Sequence, residues 1–458
     1  MKNKIIIATM LLSSSLVFLS SCKKDFPIIT GATTDQTFNN PRAVTAVVVG
    51  LQRTYSRSLL LSISDANSLV TNETLVTNPG NASEVQLTSG GGSVDNTNGL
   101  LGNFWTTANK IIYDANNAIN AASGNKFAAG PALGGAGYAS GVLGYASIYK
   151  ALALGSLSQF WEKVPDTTGV GIGTTAPTNF SARSAGFTRA IATIDNALAY
   201  IAANPISATF DDDLPIGFKR LVATETPGVN VVNVLNALKA RYNLFLGNYP
   251  AALAAANSVD LTKALAFNYE ALNSNFNPVF AVFTSTNNVI QPLDSTLGLV
   301  VGVAPALTDA RVAQYTSINA TIFPRFRFNG FWNSNTRVIP IYLPDEMRLI
   351  KAECLLRQST PDPVGAQAIV DAILKQAPAA DPFGIAANIP AGYTGASDVN
   401  SLLTEVYRNR CIELYFSGLK LEDMRRFNRP LPEFKRKFFP YPLAERNNNP
   451  NTPADPLF

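Results

Sequence analysis

The sequence has no histidine and little charge: of 458 residues, only 15% are Asp, Glu, Lys or Arg, where an ordinary globular chain carries roughly a quarter. Without imidazole there is no Ser/His/Asp or Cys/His nucleophile pair, no His-ligated zinc or haem, and no histidine base or pH switch. Catalysis would fall to carboxylates, Lys, Tyr, backbone groups or a carboxylate metal site. No carboxylate pair stands out for glycoside hydrolysis, so the expectation is a protein that is not an enzyme and needs no cofactor or metal. A nucleic-acid footprint is missing too. The formal charge is only +4, and the nearest approach to a basic stripe, Lys435, Arg436 and Lys437, reads as a short solvated run. Gly169-Val170-Gly171-Ile172-Gly173 lacks the preceding strand, the lysine and the ribose-binding acid of a phosphate loop. Asp211, Asp212 and Asp213 miss the Gly and Glu spacing of a calcium loop and read as a solvated turn.

What is present at the start reads as an export signal. Lys2 and Lys4 precede an apolar run from Ile5 to Leu19, then Ser20, Ser21 and Cys22. The run is too short for a mature membrane helix and has the charged, apolar and small-residue regions of a secretory leader. Leu19-Ser20-Ser21-Cys22 looks like a bacterial lipobox, in which residues 1–21 are removed and Cys22 is lipidated. Several acyl chains on Cys22 would anchor the protein stably to a membrane that it does not cross. Cys354 and Cys411 remain. Each sits on an apolar helical stripe (Met347, Ile350, Cys354; Leu403, Tyr407, Cys411, Leu414). A disulfide is allowed outside the cytoplasm, but two separate buried thiols are the preferred reading.

Helical spacing dominates the rest. Trp105, Ala108, Ile112, Ala115 and Ile119 step by three and four, as do Leu235, Leu238, Tyr242 and Phe245. After the second stripe come Leu246-Gly247-Asn248-Tyr249-Pro250 and then Ala252, Ala255, Ala256 and Val259. Gly247 suits a left-handed cap, Pro250 opens the next helix, and the alanines permit close approach. This resembles the turn of a tetratricopeptide unit. A second hairpin is expected from Asp345 to about Gln358 and from Val364 to about Gln376. Between helices lie long polar stretches read as loops: 62–102, 166–180, 203–227, and 267–338, the last with β-prone runs such as Gly298 to Val303. Loops this long are expected to form a binding face on the helical scaffold.

The segment Arg410-Cys411-Ile412-Glu413-Leu414-Tyr415-Phe416-Ser417-Gly418-Leu419-Lys420-Leu421-Glu422-Asp423-Met424-Arg425-Arg426-Phe427 resembles the C-terminal signature of SusD/RagB-type outer-membrane lipoproteins. Arg410, Glu413, Leu414, Gly418, Asp423 and Arg426 match it, whereas Asn409, Ser417, Lys420 and Phe427 replace the usual Glu, Glu, Arg and Trp. Tyr441-Pro442 with Glu445, Asn449 and Pro450 looks like the family's closing segment. Cys22-Lys23-Lys24-Asp25-Phe26, Gly50 with Tyr55, and Trp105, Tyr113, Asn116 and Ile119 follow the family order. So do Arg183-Ser184 with Ile194, Asp195 and Ala197, and Glu346, Leu349, Ile350, Ala352 and Glu353. The resemblance implies a mostly α fold: a single SusD-like domain over 22–458, tetratricopeptide-like hairpins, long ligand-binding loops and minor β structure. It also implies a surface-exposed, lipid-anchored outer-membrane protein. Its partner would be a SusC-like TonB-dependent transporter, on which it acts as the lid that delivers an oligosaccharide, or in some branches a peptide. A lipid-anchored glycoside hydrolase is the remote alternative.

Sugar binding needs flat aromatic faces beside amides, carboxylates or guanidinium groups. Trp105 lies on a core stripe, and Trp161 sits where a helix ends before Glu162-Lys163-Val164-Pro165, so both read as structural. Trp332 differs, because Asn329-Gly330-Phe331-Trp332-Asn333-Ser334-Asn335 has turn residues on both sides. The ligand-binding candidates are therefore Trp332 with Phe331 and Asn333, joined by Tyr315, Arg325 and Arg327. Phe323-Pro324-Arg325-Phe326-Arg327-Phe328 also alternates as an edge strand would. Asn78 and Asn81, beside Asn72 and Glu73, offer polar contacts from an earlier loop.

Overall fold

Two long helices, α4 (Gly99–Ser123) and α5 (Gly135–Phe160), lie at the centre of the computed structural model. The structure describes residues 37–458 apart from 39, 125–134, 167–176, 272–274, 287–288, 322, 324 and 432; the leader, Cys22 and the glycine run 169–173 lie outside the described residues. Phe38–Phe458 form one compact unit. Helix α5 is apolar all round and buried along nearly its whole length, as such a helix must be. Its glycines mark close approaches: a Cβ on Gly155 would stand 2.3 Å from the Tyr242 ring. Before these two come α1 (Pro41–Thr54), a π-helical turn (Tyr55–Leu59) and α2 (Leu60–Val70). Asn40 caps α1 by accepting from the Arg42 N–H.

From α4 onward each helix packs on the next. The row runs through α5, α6 (Arg183–Ala203), α8 (Val229–Leu246), α9 (Tyr249–Asn257), α11 (Pro344–Arg357), α12 (Pro363–Lys375) and α13 (Val399–Glu413). The short α7 (Ala208–Asp213) precedes α8. The hairpin turn falls where the spacing places it. Gly247 has φ 77°, the Asn248 N–H reaches back to the Asn243 carbonyl (2.9 Å), and Ala252, Ala255 and Ala256 are buried on α9. The second hairpin, α11–α12, forms within one residue of its expected bounds. Cys354 and Cys411 are separate, free and buried, and burial pushes each thiol up to about 12.

The β structure is small: four antiparallel two-stranded pairs. They are β1 (Thr74–Val76) with β5 (Ile290–Pro292), β2 (Lys163–Pro165) with β3 (Phe180–Ala182), β4 (Ala266–Phe267) with β8 (Ile339–Pro340), and β6 (Thr316–Ile318) with β7 (Phe326–Phe328).

Several expected loops turn out otherwise. Residues 62–70 belong to α2, and α3 (Ala82–Ser89) follows. Their polar side chains are buried and bond one another: the Asn67 amide donates to Glu73 Oε2 (2.8 Å), Thr71 Oγ1 donates to the same oxygen (3.1 Å), and Ser68 pairs with Thr74 (2.8 Å). Gly298 to Val303 is a turn and not a strand; Gly298 and Gly302 have φ 74° and 94°, and Val301 is 99% exposed. Asp211 is fully buried, accepting from the Gly228 N–H (2.7 Å) and facing Arg220, so that end of the Asp run is a structural clasp. Lys435 and Arg436 are likewise not solvated. Lys435 Nζ donates to the Leu69 carbonyl (2.8 Å) and Arg436 Nε to the Phe438 carbonyl (2.6 Å), and burial drives Lys435 down to about 8.

The signature segment is the bolt between scaffold and loops. Helix α14 (Lys420–Arg426) follows a turn at Gly418, which has φ 84° and would bring a Cβ to 2.2 Å from Ile63. Arg410 Nε donates to Asp423 Oδ2 (2.9 Å) and Arg426 Nη2 to Asp423 Oδ1 (2.6 Å), while Arg426 also meets Glu353 on α11. Asn409, standing for a family Glu, accepts from Arg311 (2.9 Å), which Asp309 also holds (2.8 Å). Lys420, standing for Arg, donates to the carbonyls of Leu297 (3.1 Å) and Gly298 (2.7 Å). The closing segment pins α4: Trp105 Nε1 donates to Glu445 Oε2 (3.1 Å), and Asn449 Nδ2 donates to the Thr178 carbonyl (2.9 Å).

Candidate functional site

The loops gather on one layer. Strand β1 pairs with β5 in the register Leu75 opposite Gln291, and the Thr77 N–H extends the ladder to the Val289 carbonyl (2.8 Å). Strand β5 also lies near β7, whose partner β6 continues from the short α10 (Ala310–Tyr315). The loop after β1, with Asn78 and Asn81, and the β6–β7 hairpin are thus both tied to β5. Asn78 shapes its own loop by accepting from the Gly80 N–H (2.9 Å). Both asparagines are half-buried.

Beneath this layer is an aromatic floor. Trp332 is stacked on Tyr315 (centroids 5.5 Å, planes 28° apart) and packs edge-on to Phe328, Tyr415 and Phe416. Only 4% of its surface is exposed, and Phe331 and Tyr315 are buried with it. The Tyr315 hydroxyl donates to the Glu413 carbonyl and that of Tyr415 to the Glu73 carbonyl (3.1 Å). The turn carrying Trp332 is fixed by Gly330, whose φ is 62° and whose Cβ would fall 2.5 Å from the Gln314 carbonyl. Asn277, fully buried, locks it by donating to the carbonyls of Phe331 (2.7 Å) and Arg337 (2.8 Å). The cavity beside the floor, lined in part by Tyr315, Phe331, Trp332 and Glu413, holds about 80 Å³. Ligand pockets usually start near roughly 300 Å³, so no sugar ring fits it. In this structure Trp332, Phe331 and Tyr315 support the surface from below rather than present a face to a ligand, because the floor is sealed by five rings and the Asn277 clamp.

The exposed candidates lie above. In the hairpin, Ser317 is opposite Arg327, and the Asn319 N–H donates to the Arg325 carbonyl (2.7 Å). The cross-strand pairing then puts Ser317, Asn319, Arg325 and Arg327 on one face, while Phe328 turns into the floor. Ser317 and Arg325 are exposed, Phe323 is 84% exposed, and Arg327 is partly covered. That partial burial pushes the Arg327 guanidinium down from its ordinary value. Asn333 is exposed at the end of the Trp332 turn, donating to Asn329 Oδ1 (3.1 Å). The candidates thus separate into a floor (Tyr315, Phe331, Trp332) and a rim (Asn78, Asn81, Arg325, Arg327, Asn333). Sequence reasoning missed Phe323 and Asn319, for which the alternation around the β6–β7 turn is the available signal. It also missed Asn277, a buried clamp with no local signal.

Chemically the rim offers an aromatic face, two planar guanidinium groups, amides and hydroxyls, and it offers no carboxylate: neither 74–83, 276–293 nor 310–344 contains Asp or Glu. Glu73, just before the first of these segments, is buried and accepts from Asn67, Thr71 and the Phe416 N–H. No group of acids and cysteines among the described residues is arranged to hold a metal ion, and no described helix is long and apolar enough to cross a membrane.

By sequence, the chain matches no family model and no curated protein. By structure it resembles solved proteins over nearly its whole length. A SusD homolog from Bacteroides thetaiotaomicron aligns with a TM-score of 0.68 at 13% identity, covering 93% of this chain and 98% of that one. A SusD-like carbohydrate-binding protein from Bacteroides fragilis gives 0.64 at 13% identity, over 91% of this chain and 100% of that one. A SusD superfamily protein from Bacteroides vulgatus gives 0.66 at 13% identity over 91% and 99%.

Proposed function

With the SusD-like fold in place, we propose that the protein is a non-catalytic glycan-capture lipoprotein of the outer-membrane surface. It binds an oligosaccharide on the β6–β7 rim and passes it to a SusC-like TonB-dependent transporter, over which it closes as a lid. The observation that carries this reading is the fold itself, shared over nine-tenths of the chain with proteins that include a SusD-like carbohydrate-binding protein. Two features support it. The rim combines an exposed aromatic with guanidinium and amide groups, which is sugar-binding chemistry. The rim segments also lack the carboxylate pair that glycoside hydrolysis requires. The lipobox at Cys22 supplies the anchor in this reading.

Affinity purification from the native membrane is expected to recover a large β-barrel partner; repeated recovery of the protein alone from gently solubilised membranes would refute the transporter role. A Cys22→Ala variant is expected to move from the membrane fraction to the soluble one. Retention of that variant on the membrane would remove the anchor from the proposal. A peptide ligand is the competing outcome, revealed by peptide binding with none to glycans.

A further inference from the structure

We infer that a second cleft, at the end of α1 rather than on the β6–β7 rim, binds an uncharged sugar unit; the inference rests on the glycan-capture reading above. The cleft holds about 380 Å³, above the roughly 300 Å³ at which ligand pockets start. One wall is the last turn of α1 with the π-helical turn that follows. Val49, Gln52, Arg53 and Ser56 recur there at steps of three and four residues and so share one helical face. The rest of the lining is Leu214, Pro215 and Ile216 from the loop after α7, and Asn268, Glu270 and Asn275 from the segment after β4. These walls are tied together. The Tyr269 hydroxyl donates to the Ser56 carbonyl (2.9 Å) and the Glu270 N–H to the Asn275 carbonyl (2.8 Å). Gly217, next to Ile216, has no room for a Cβ against the Ala266 carbonyl, which holds the 214–217 loop close to β4.

Polar groups with unused bonding capacity gather on this space. Gln52 is buried, and its Oε1 accepts from the Tyr145 hydroxyl, which leaves its Nε2 without a partner among the described residues. The Ser56 hydroxyl, on a residue as deeply buried, and the side-chain amides of Asn268 and Asn275 bond no described residue either. Buried polar groups in folded chains are nearly always bonded, so a free donor and a free hydroxyl lining a cleft mark a place for a molecule that brings hydroxyls. The exposed Arg53 and Glu270 contribute one charge of each sign. The cleft therefore has no net charge with which to select an ion. Three amides and a hydroxyl both donate and accept, as sugar hydroxyls do, while Val49, Leu214, Pro215 and Ile216 give the apolar lining on which such a ligand rests its C–H surface.

The test is binding of the full chain to three neutral glycans, amylopectin, arabinoxylan and galactomannan, and to the anionic polygalacturonate. At least one neutral glycan is expected to bind. The double variant Asn268→Ala/Asn275→Ala should weaken that binding by about tenfold or more, the loss of two hydrogen bonds, with an unchanged Tm, because neither side chain bonds the fold. Asn268→Asp alone, which keeps the shape and loses the donor, should weaken it in the same direction. Variants that bind like the parent would overturn this inference and leave glycan capture standing, and so would binding of polygalacturonate with none of the neutral glycans. Binding of no glycan would overturn both.

Discussion

At the scale of single residues, the tryptophan with the most surface-like sequence neighbourhood is part of the interior. Trp332 is flanked by Asn and Ser, yet it is covered by Tyr315, Phe328, Tyr415 and Phe416. Turn residues on both sides showed correctly that the backbone is irregular, but they carry no information about which way the ring points. Trp332→Ala is therefore expected to cost about 3–5 kcal/mol of stability, as large-to-small core substitutions do, measured as a lower denaturation midpoint. An unchanged midpoint with lost glycan binding would return the ring to the ligand surface. Arg325 gives the opposite expectation, since its side chain is exposed and its removal should touch binding alone. The residues of the signature were legible by type, and their geometry explains the tolerated departures. Asn409 accepts from Arg311, and Lys420 reaches two carbonyls, so both replacing residues are bonded within the buried segment.

At the scale of elements, what the sequence revealed was set by periodicity. Helices α4, α9 and α12 bury one face, and α8, α11 and α13 carry an apolar stripe within a wider buried surface; in each case the stripe is readable at 3.6 residues per turn. Helix α5 buries every side, so it has no stripe to read, and only its end at Trp161 is legible in the sequence. Helix α2 was hidden for a different reason: Ser62, Ser64, Asn67, Ser68 and Thr71 read as loop composition, but burial with mutual hydrogen bonding removes the cost of placing them inside. Turns carry sharper sequence marks, and two glycines separate backbone strain from crowding. Gly247 has φ 77° and nothing closer to its would-be Cβ than the Tyr249 hydroxyl at 3.9 Å. Gly247→Ala should cost only the left-handed penalty, about 1–2 kcal/mol. Gly418 has φ 84° and Ile63 only 2.2 Å away, so Gly418→Ala should lower the melting temperature further. Equal losses at the two sites would mean that the α13–α14 turn can shift away from Ile63 at no cost.

At the scale of the whole molecule, the lack of histidine leaves the pH response below the range of Lys435, which burial lowers to about 8, to buried carboxyls, and they fall into two opposed sets. Burial raises Asp65 well above the ordinary carboxyl range, helped by the charge of Glu84, and no described group bonds its Oδ1. Burial likewise raises Glu413, with Asp345 adding to the shift and Arg311 opposing it. A group raised in the folded state holds its proton more tightly there than in the unfolded chain. Its contribution is therefore complete below the unfolded value, 3.8 for Asp and 4.5 for Glu, and is lost as pH rises through the folded value. The signature acids behave oppositely. Burial alone would raise Glu422 and Asp423, but Arg425 with Arg183, and Arg410 with Arg426, outweigh it and hold both carboxyls low. Their contribution is present above the same unfolded values and is lost as pH falls through the folded ones. The melting temperature should therefore rise as pH is lowered from about 7 to about 5, below the range in which Lys435 titrates, and collapse below about 4. Asp65→Asn isolates one limb, because the amide is neutral at every pH: it should stabilise the protein at pH 8 and change it little at pH 4. A gain that is the same at both pH values would show that Asp65 is ionised in the folded protein and that the alkaline slope has another source.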